Sequence, residues 1–163
     1  MRISFDIDDT LVCHGGAAPI EAGFLPRFIV RWFSEPLRRG TRLLINELRR
    51  RGCKVWIYTS SGRTPLQIRF WLLLHGIRVE GIVNDERHRR TLFGRRFRNL
   101  PSKYPPAFNI DLHVDDSEGV RMEGDLHGFR VVVVRPDDED WTQKVLEAVP
   151  TSIQRTPALL GKK

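Results

Sequence analysis

Short apolar runs alternate along this chain with amphipathic stretches. The apolar runs predict strands over residues 3–7, 55–58, 79–83, 110–114 and 129–134. The amphipathic stretches predict helices over residues 41–51, 65–75 and 137–149. Strands that alternate with helices favour an α/β fold, a three-layer Rossmann-like domain in which helices flank a parallel five-stranded sheet.

Local signals mark where these helices begin and end. In the first helix Leu43, Leu44 and Leu48 are expected to share the apolar face, and Gly52 ends the helix. Pro65 stands at the start of the second helix, where its missing N–H costs nothing. Acidic residues open the third helix, where the helix dipole favours them.

The remaining segments predict loops around a single domain. Residues 11–36 are expected to form a flap or short insert, and residues 85–109, which are polar, basic and proline-containing, a basic loop or hairpin. Residues 150–163 are expected to form a flexible tail. A chain of 163 residues is long enough for one domain, which we place at residues 1–149.

Polar residues suited to phosphoryl transfer stand at the ends of three predicted strands. The first strand runs into a D-x-D-x-T sequence that contains Asp6 and Asp8, the second strand ends at Thr59, and the fourth ends at Asp115 and Asp116. In a parallel sheet, ligands bind beyond the carboxyl ends of the strands, where the strand order reverses. We therefore expect these side chains to meet at one edge of the sheet although they are far apart in sequence.

The carboxylates, the hydroxyl and a lysine supply the parts of a phosphatase mechanism. Asp6, ionised at neutral pH because a free Asp has a pKa of ~3.9, is expected to attack phosphorus and form an aspartyl-phosphate. Asp8 is expected to protonate the leaving oxygen and then to activate water. Thr59 is expected to hold the phosphoryl oxygens, and Lys103 to neutralise the charge that develops in transfer.

Attack of one anion on another needs further neutralisation, which predicts a bound Mg²⁺. This hard cation prefers oxygen ligands. Asp6 and Asp115 are the expected carboxylate ligands, with Asp116 as a further or water-bridged ligand. The main-chain carbonyl of Asp8 is expected to complete the site.

These motifs resemble those of the haloacid dehalogenase superfamily of phosphohydrolases over most of the chain. The resemblance lies in residues 6–10, in residues 55–59, in Lys103 and in residues 114–117. It implies the same core fold, a magnesium-dependent phosphomonoesterase activity and an aspartyl-phosphate intermediate. In that family, an Asp two residues after the nucleophile accompanies phosphate chemistry, and Asp8 meets this condition.

Two departures from the family pattern bear on the site. Family members often carry a cap domain, but the segments between the motifs here have room only for a flap, which implies an open site for bulky phosphates or a lid from a partner subunit. The third-motif lysine often opens a helix, whereas a proline pair at 105–106 follows Lys103. We prefer Lys103 to Arg95, Arg96 or Arg98 because an ammonium point charge suits the role.

The substrate is predicted only by class, a phosphorylated molecule. Ser60 and Arg63 follow the second motif and are candidate substrate contacts, although Arg63 also suits an exposed helix start. The net charge of +7 attracts polyanions, including nucleotides and nucleic acid. Residues 87–98 are the densest basic stretch, either a phosphate-binding arm or, as charge runs usually are, solvated surface.

Other functional classes fit the residues less well. A signalling receiver domain also uses an acidic pair, a hydroxyl and a lysine, but there the lysine comes late, and here Lys103 precedes the second acidic pair. A nucleic-acid-binding or polynucleotide-end-processing protein on this fold is the main alternative to a simple phosphatase. His113 is more typical of a buried strand than of a magnesium ligand.

Composition sets the remaining expectations. No apolar run approaches the ~20 residues of a membrane helix. Cys13 and Cys53 are too few for a disulfide framework. A cytoplasmic protein with reduced thiols, monomeric or homodimeric, is therefore expected.

Overall fold

The computed structural model describes residues 1–14, 18–21, 35–95, 97 and 99–150. Strands and helices alternate through most of this range. In chain order they are β1 Arg2–Phe5, α1 Thr41–Arg50, β2 Lys54–Tyr58, α2 Pro65–Leu74, β3 Gly81–Val83, α3 Asp85–Leu92, β4 Leu112–Asp115, α4 Glu118–His127, β5 Val131–Val133 and α5 Trp141–Ala148, with a 3₁₀ turn at Pro105–Phe108 between α3 and β4.

The strands form one parallel five-stranded sheet in the order β3-β2-β1-β4-β5. The chain builds outward from β1 to β3 and then returns to β4 on the other side of β1. This arrangement confirms the predicted α/β, Rossmann-like architecture. The reversal of strand order falls between β1 and β4, which is where ligands bind in open sheets of this kind.

Side chains of β2 point alternately to the two faces of the sheet, and both faces are covered. Val55 and Ile57 belong to the larger apolar cluster, which also contains buried residues of α1, α2 and α5. Tyr58 belongs to a smaller cluster with Phe108 from the 3₁₀ turn, and Trp56 packs against that cluster. The period of two is that of a strand buried on both sides.

The apolar face of α1 differs from the predicted face at one residue. Leu44, Ile45 and Leu48 are buried, whereas Leu43 is 77% exposed. Including Leu43 was wrong because the buried stripe follows Thr41, Leu44, Ile45 and Leu48, the spacing of a 3.6-residue helix. Leu43 therefore lies on the solvent side of that stripe.

The prediction of a loop or hairpin over residues 85–109 is wrong for its first part, which forms α3. The Asn84 side chain caps this helix by accepting the Arg87 N–H at 3.1 Å. Asp85 lies in its first turn and Arg90 in its last, and both charges suit the helix dipole. The dense basic charge concealed these capping signals at the sequence level.

Helix α4 was missing from the predicted elements. Ser117 caps it by accepting the Val120 N–H, and Gly128 ends it in the left-handed conformation with φ of 73°. Its two glycines lower its helix propensity, but Gly124 meets a packing need. A Cβ at Gly124 would lie 2.6 Å from the Phe129 carbonyl oxygen.

Several predictions fall wholly or partly outside the described residues. They are most of the flap at 11–36, the basic residues Arg96 and Arg98, and the tail beyond residue 150. The last helix begins at Trp141, after the acidic residues expected to open it. Within the described ranges, no helix combines the length and apolar character needed to cross a membrane.

Candidate active site

Backbone pairing brings three predicted site residues to the carboxyl ends of the central strands. The Asp6 N–H donates to the Val114 carbonyl at 2.9 Å, which continues the pairing of β1 with β4. The Thr59 N–H donates to the Val83 carbonyl at 2.9 Å, which continues the pairing of β2 with β3. Asp115 is the last residue of β4. The sheet therefore fixes all three main-chain positions.

An open cavity of about 320 Å³ lies at this edge of the sheet. Its lining brings together seven residues predicted from the sequence as catalytic, substrate-binding or metal-binding. They are Asp6, Asp8, Thr59, Ser60, Lys103, Asp115 and Asp116.

Lys103 is almost completely buried, with 3% of its surface exposed, and its ammonium group lies between two carboxylates. Nζ is 2.5 Å from Asp6 Oδ1 and 3.7 Å from Asp115 Oδ2. It also donates to the Tyr58 carbonyl oxygen at 2.9 Å. Arg95, one of the alternatives to Lys103, is exposed. Among the residues that the structure describes, Lys103 is the basic side chain in contact with Asp6; Arg96 and Arg98 lie outside them.

Helix α4 anchors the chain just before Lys103, although no helix begins there. The Glu123 carboxylate accepts the Ser102 N–H at 2.9 Å and the Ser102 hydroxyl at 2.7 Å. It also accepts the Lys103 N–H at 3.3 Å. A carboxylate that receives three donors from one turn fixes the path of the main chain there.

Strand β2 anchors the chain just after Lys103. The Tyr58 hydroxyl accepts the Tyr104 N–H at 2.8 Å and lies 2.5 Å from His88 Nδ1. Burial raises the pKa of the Tyr58 phenol, so Tyr58 stays neutral. Tyr58 thus holds residues 102–104, the lysine loop, through its hydroxyl, and it holds Lys103 itself through its carbonyl oxygen.

The carboxylates around Lys103 have opposite pKa shifts. Burial raises the pKa of Asp6, although the neighbouring ammonium of Lys103 opposes this effect. Burial also raises the pKa of Asp115, but the hydrogen bond from His113 and the charge of Lys103 outweigh it, so the net shift is downward. Burial and the neighbouring carboxylate of Asp115 raise the pKa of Asp116 to about 6. The site therefore carries more negative charge than Lys103 neutralises.

Asp8 is held by two cationic or potentially cationic side chains. Arg63 donates to both of its oxygens, at 2.8 and 2.9 Å, and His14 Nε2 lies 3.2 Å from Oδ1. Burial raises the pKa of Asp8, but these contacts outweigh it and leave the pKa below its usual range. Asp8 is therefore ionised at neutral pH in this arrangement.

The predicted substrate contacts Ser60 and Arg63 have different surroundings. Ser60 is exposed and lines the cavity. Arg63 bonds not only Asp8 but also both oxygens of Glu35, each at 2.8 Å. Two carboxylates therefore already contact the Arg63 guanidinium, and Arg63 lines a neighbouring groove with Glu35 rather than the cavity itself. The Thr59 hydroxyl accepts the Ser61 N–H at 3.1 Å, which orients it at the cavity wall.

Within the described residues, no three His, Cys, Asp or Glu side chains are arranged to hold a metal ion. The magnesium site stays a prediction. The groups present nevertheless suit that cation, because Mg²⁺ commonly takes one or two protein carboxylates and keeps several waters. Asp6 and Asp115 are two such carboxylates beside Asp116, whose pKa is raised by burial and by the negative charge of Asp115. A divalent cation would relieve that charge.

His113 contacts a predicted site residue, although the sequence indicated only a buried strand position. Its ring is fully buried and lies between Ser4 and Asp115. The signal in the sequence was a pair of polar residues, Ser4 and His113, in two strands whose other side chains are mostly apolar.

A second groove, of about 670 Å³, lies near Arg38, Asp137 and Trp141. The Arg38 guanidinium lies 4.7 Å from the Trp141 ring centre and donates to the Arg135 carbonyl at 2.7 Å. Arg38 therefore ties the chain before α1 to the segment after β5. The predicted phosphoryl-transfer residues line the smaller cavity.

No family model, curated protein or solved structure matches this chain. The architecture shown is the parallel Rossmann-like α/β fold, and folds of this kind carry many unrelated activities. The functional argument therefore rests on the site itself.

Proposed function

We propose that this protein is a Mg²⁺-dependent phosphomonoesterase of the haloacid dehalogenase type that works through an aspartyl-phosphate. The observation that carries the proposal is the position of Lys103 Nζ, 2.5 Å from Asp6 and 3.7 Å from Asp115 at the carboxyl edge of the sheet. A buried lysine between two carboxylates at a strand-order reversal suits stabilisation of a transferring phosphoryl group.

In this proposal Asp6 is the nucleophile. Lys103 holds Asp6 Oδ1, and the other carboxylate oxygen attacks phosphorus. A bond forms between that oxygen and phosphorus while the bond from phosphorus to the ester oxygen breaks. Water then attacks the phosphorus of the aspartyl-phosphate, which releases inorganic phosphate and restores the Asp6 carboxylate. The Thr59 hydroxyl and the Ser60 segment hold the remaining phosphoryl oxygens.

Asp8 supplies the proton to the leaving oxygen once it is released from Arg63. While Arg63 holds Asp8, the carboxyl is ionised and has no proton to give. A substrate dianion competes with Asp8 for the Arg63 guanidinium. Loss of that contact raises the pKa of Asp8, which lets it act first as acid and then as base. Arg63 thereby links substrate binding to proton transfer.

The residues that would hold the cation are Asp6, Asp115 and the main-chain carbonyl of Asp8, with Asp116 next to them. When bound, the cation neutralises the charge that phosphate brings to this carboxylate-rich edge. Lys103 and the cation then share the negative charge of the site.

The test is phosphate release from an aryl phosphate, with and without Mg²⁺, by the wild type and Asp6→Asn. We expect metal-dependent turnover that falls at least ~10³-fold in Asp6→Asn, because the amide is a poor nucleophile. Asp9→Asn is the matched control. Asp9 lies in a left-handed turn that Asn tolerates, and its side chain accepts only the His14 N–H among the contacts described. Equal activity of wild type and Asp6→Asn would contradict the mechanism.

The second candidate is a protein that processes or binds polynucleotide ends. The observation that favours it is the net charge of +7. Two exposed arginines add to it near β3, Arg90 in helix α3 and Arg95 just after that helix. A 5′- or 3′-phosphorylated oligonucleotide in the same assay separates the two. Faster turnover of the oligonucleotide than of the aryl phosphate favours end processing. Salt-sensitive binding without turnover favours a binding role.

A further inference from the structure

Three buried polar side chains form a chain that ends at the candidate site. The Ser4 hydroxyl lies 2.8 Å from His113 Nδ1, and His113 Nε2 lies 2.9 Å from Asp115 Oδ2. Ser4 and His113 are fully buried, and Asp115 is 2% exposed. Ser4 and His113 face each other directly in the pairing of β1 with β4. The chain therefore lies in the centre of the sheet, at the reversal of strand order.

The chemistry of the end group assigns the hydrogens along this chain. An ionised carboxylate only accepts hydrogen bonds, so His113 Nε2 carries a hydrogen and donates it to Asp115. In the neutral ring Nδ1 is then an acceptor, and the Ser4 hydroxyl is the donor that it faces. A hydroxyl can donate or accept, so Asp115 assigns the hydrogen to Nε2 and Ser4 satisfies Nδ1 of that ring form.

The two oxygens of Asp115 are held in different ways. Oδ2 faces His113, and Oδ1 accepts the Ser117 N–H at 2.9 Å. Two contacts in different directions fix the plane of the carboxylate group. The remaining lone pairs are left for Lys103 and for the cavity.

Burying a serine and a histidine in the centre of a sheet costs free energy that apolar residues would not cost. Neighbouring positions of the same strands, Ile3, Phe5, Leu112 and Val114, are apolar and buried. The polar pair therefore needs a role other than filling the core. Its hydrogen bond to the site is the one from His113 to Asp115, while the His113 ring also packs against the Tyr58 ring, with the ring centres 5.5 Å apart.

We propose that Ser4 and His113 are positioning residues that orient Asp115 and thereby set the affinity of this edge for a divalent cation. The proposal rests on the proposed function, because it takes Asp115 as a cation ligand. Hydrogen bonds of this kind to metal-binding carboxylates hold the ligand in place before the cation arrives.

The experiment measures Mg²⁺ binding by calorimetry for the wild type and three variants, beside their thermal unfolding without metal. His113→Gln carries its amide nitrogen about as far along the side chain as Nε2, so it can still donate to Asp115. His113→Asn reaches only about as far as Nδ1, so it cannot. Ser4→Ala keeps the ring but removes its hydrogen-bond partner at Nδ1.

We expect Mg²⁺ affinity to fall about 10- to 100-fold in His113→Asn and to stay within about threefold of wild type in His113→Gln. Ser4→Ala is expected to lie between them. His75→Asn is the control, because His75 is also a buried histidine but lies at the end of α2. We expect the His75→Asn variant to be less stable than the wild type and to bind Mg²⁺ with the same affinity.

Wild-type affinity in His113→Asn would overturn the proposal. If that variant does not fold, Ser4→Ala decides, and wild-type affinity in Ser4→Ala overturns it. Turnover by the wild type with equal affinity in every variant would leave the phosphatase function standing and remove this inference alone. If Mg²⁺ binding weakens in the variants as expected but the wild type releases no phosphate, this inference stands and the phosphatase function falls. A wild type that binds no Mg²⁺ would remove both.

Discussion

Asp115 and Asp116 are consecutive and have identical side chains, yet their surroundings shift their pKa values in opposite directions. Asp115 faces His113 and Lys103, which outweigh its burial and lower its pKa. Asp116 has the negative charge of Asp115 beside it, and burial with that charge raises its pKa to about 6. At the scale of single residues, the role of a carboxylate in this site follows from its neighbours rather than from its type.

The raised pKa of Asp116 predicts a particular dependence of stability on pH. In the folded protein Asp116 binds its proton more tightly than in the unfolded chain, where its pKa is ~3.9. Its favourable contribution is therefore present below about pH 4 and is lost as the pH rises towards about 6. We expect Asp116→Asn to gain stability relative to wild type across this interval.

Thermal unfolding of both proteins at about pH 4, 5 and 7, with EDTA present, measures this effect. The difference in Tm, variant minus wild type, should increase with pH because only the wild type acquires the extra charge. Addition of Mg²⁺ at neutral pH should then stabilise the wild type more than the variant. A difference in Tm that does not change with pH would contradict the assignment.

At the scale of elements, helix α4 and strand β2 hold the chain on either side of Lys103. Helix α4 holds Ser102 through Glu123, and β2 holds Tyr104 through the Tyr58 hydroxyl. The proline pair at 105–106 excludes a regular helix after the lysine, and the chain forms a 3₁₀ turn there instead. Contacts from both sides therefore hold Lys103 in place although no helix begins there.

Tyr58→Phe tests this arrangement, because it removes the hydroxyl but keeps the ring and the main-chain carbonyl that bonds Lys103. We expect a loss of about 1 kcal/mol in stability and a decrease in kcat of about tenfold, since small displacements of a charge-stabilising group slow chemistry. The chain has two tyrosines, and Tyr104→Phe is the matched control. It removes a hydroxyl from the lysine loop while keeping the N–H that bonds Tyr58.

Steady-state kinetics with an aryl phosphate and thermal unfolding decide between two explanations. A lower kcat in Tyr58→Phe with near-wild-type kcat in Tyr104→Phe supports the anchoring role. Equal kcat in both variants would show that the hydroxyl of Tyr58 only stabilises the core.

At the scale of the whole molecule, charge is the property that bears on the substrate. The net charge is +7, although the site itself is rich in carboxylates. The positive charge therefore lies mainly outside the site, where it attracts anions over a distance comparable to the Debye length, ~10 Å at 0.1 M salt.

We expect kcat/KM to fall several-fold when KCl is raised from about 20 to about 200 mM, with kcat nearly unchanged, because salt screens encounter rather than chemistry. The decrease should be steeper for a phosphorylated oligonucleotide than for an aryl phosphate, since the polyanion contacts more positive charge. Initial rates for both substrates at several salt concentrations measure this. If kcat/KM depends equally on salt concentration for the two substrates, that result would argue against polynucleotide ends as the substrate.

The sequence alone determined the α/β architecture and the positions of the chemistry-bearing residues. Apolar runs alternating with amphipathic stretches predict strands and helices because hydrophobic periodicity is local. Asp6, Thr59 and Asp115 were placed at the same edge because parallel strands have their carboxyl ends together. Helices α3 and α4 were missed, since basic charge in the one and glycines in the other conceal capping signals that depend on Asn84 and Ser117.

Only the tertiary structure decided which side chains touch. It brings Lys103 within 2.5 Å of Asp6 across 97 residues of sequence, ties Asp8 to Arg63, and places His113 between Ser4 and Asp115. Such contacts depend on strand order and register, which a linear pattern does not contain. Their strength depends on burial, because the same charges interact weakly in water and strongly in the interior.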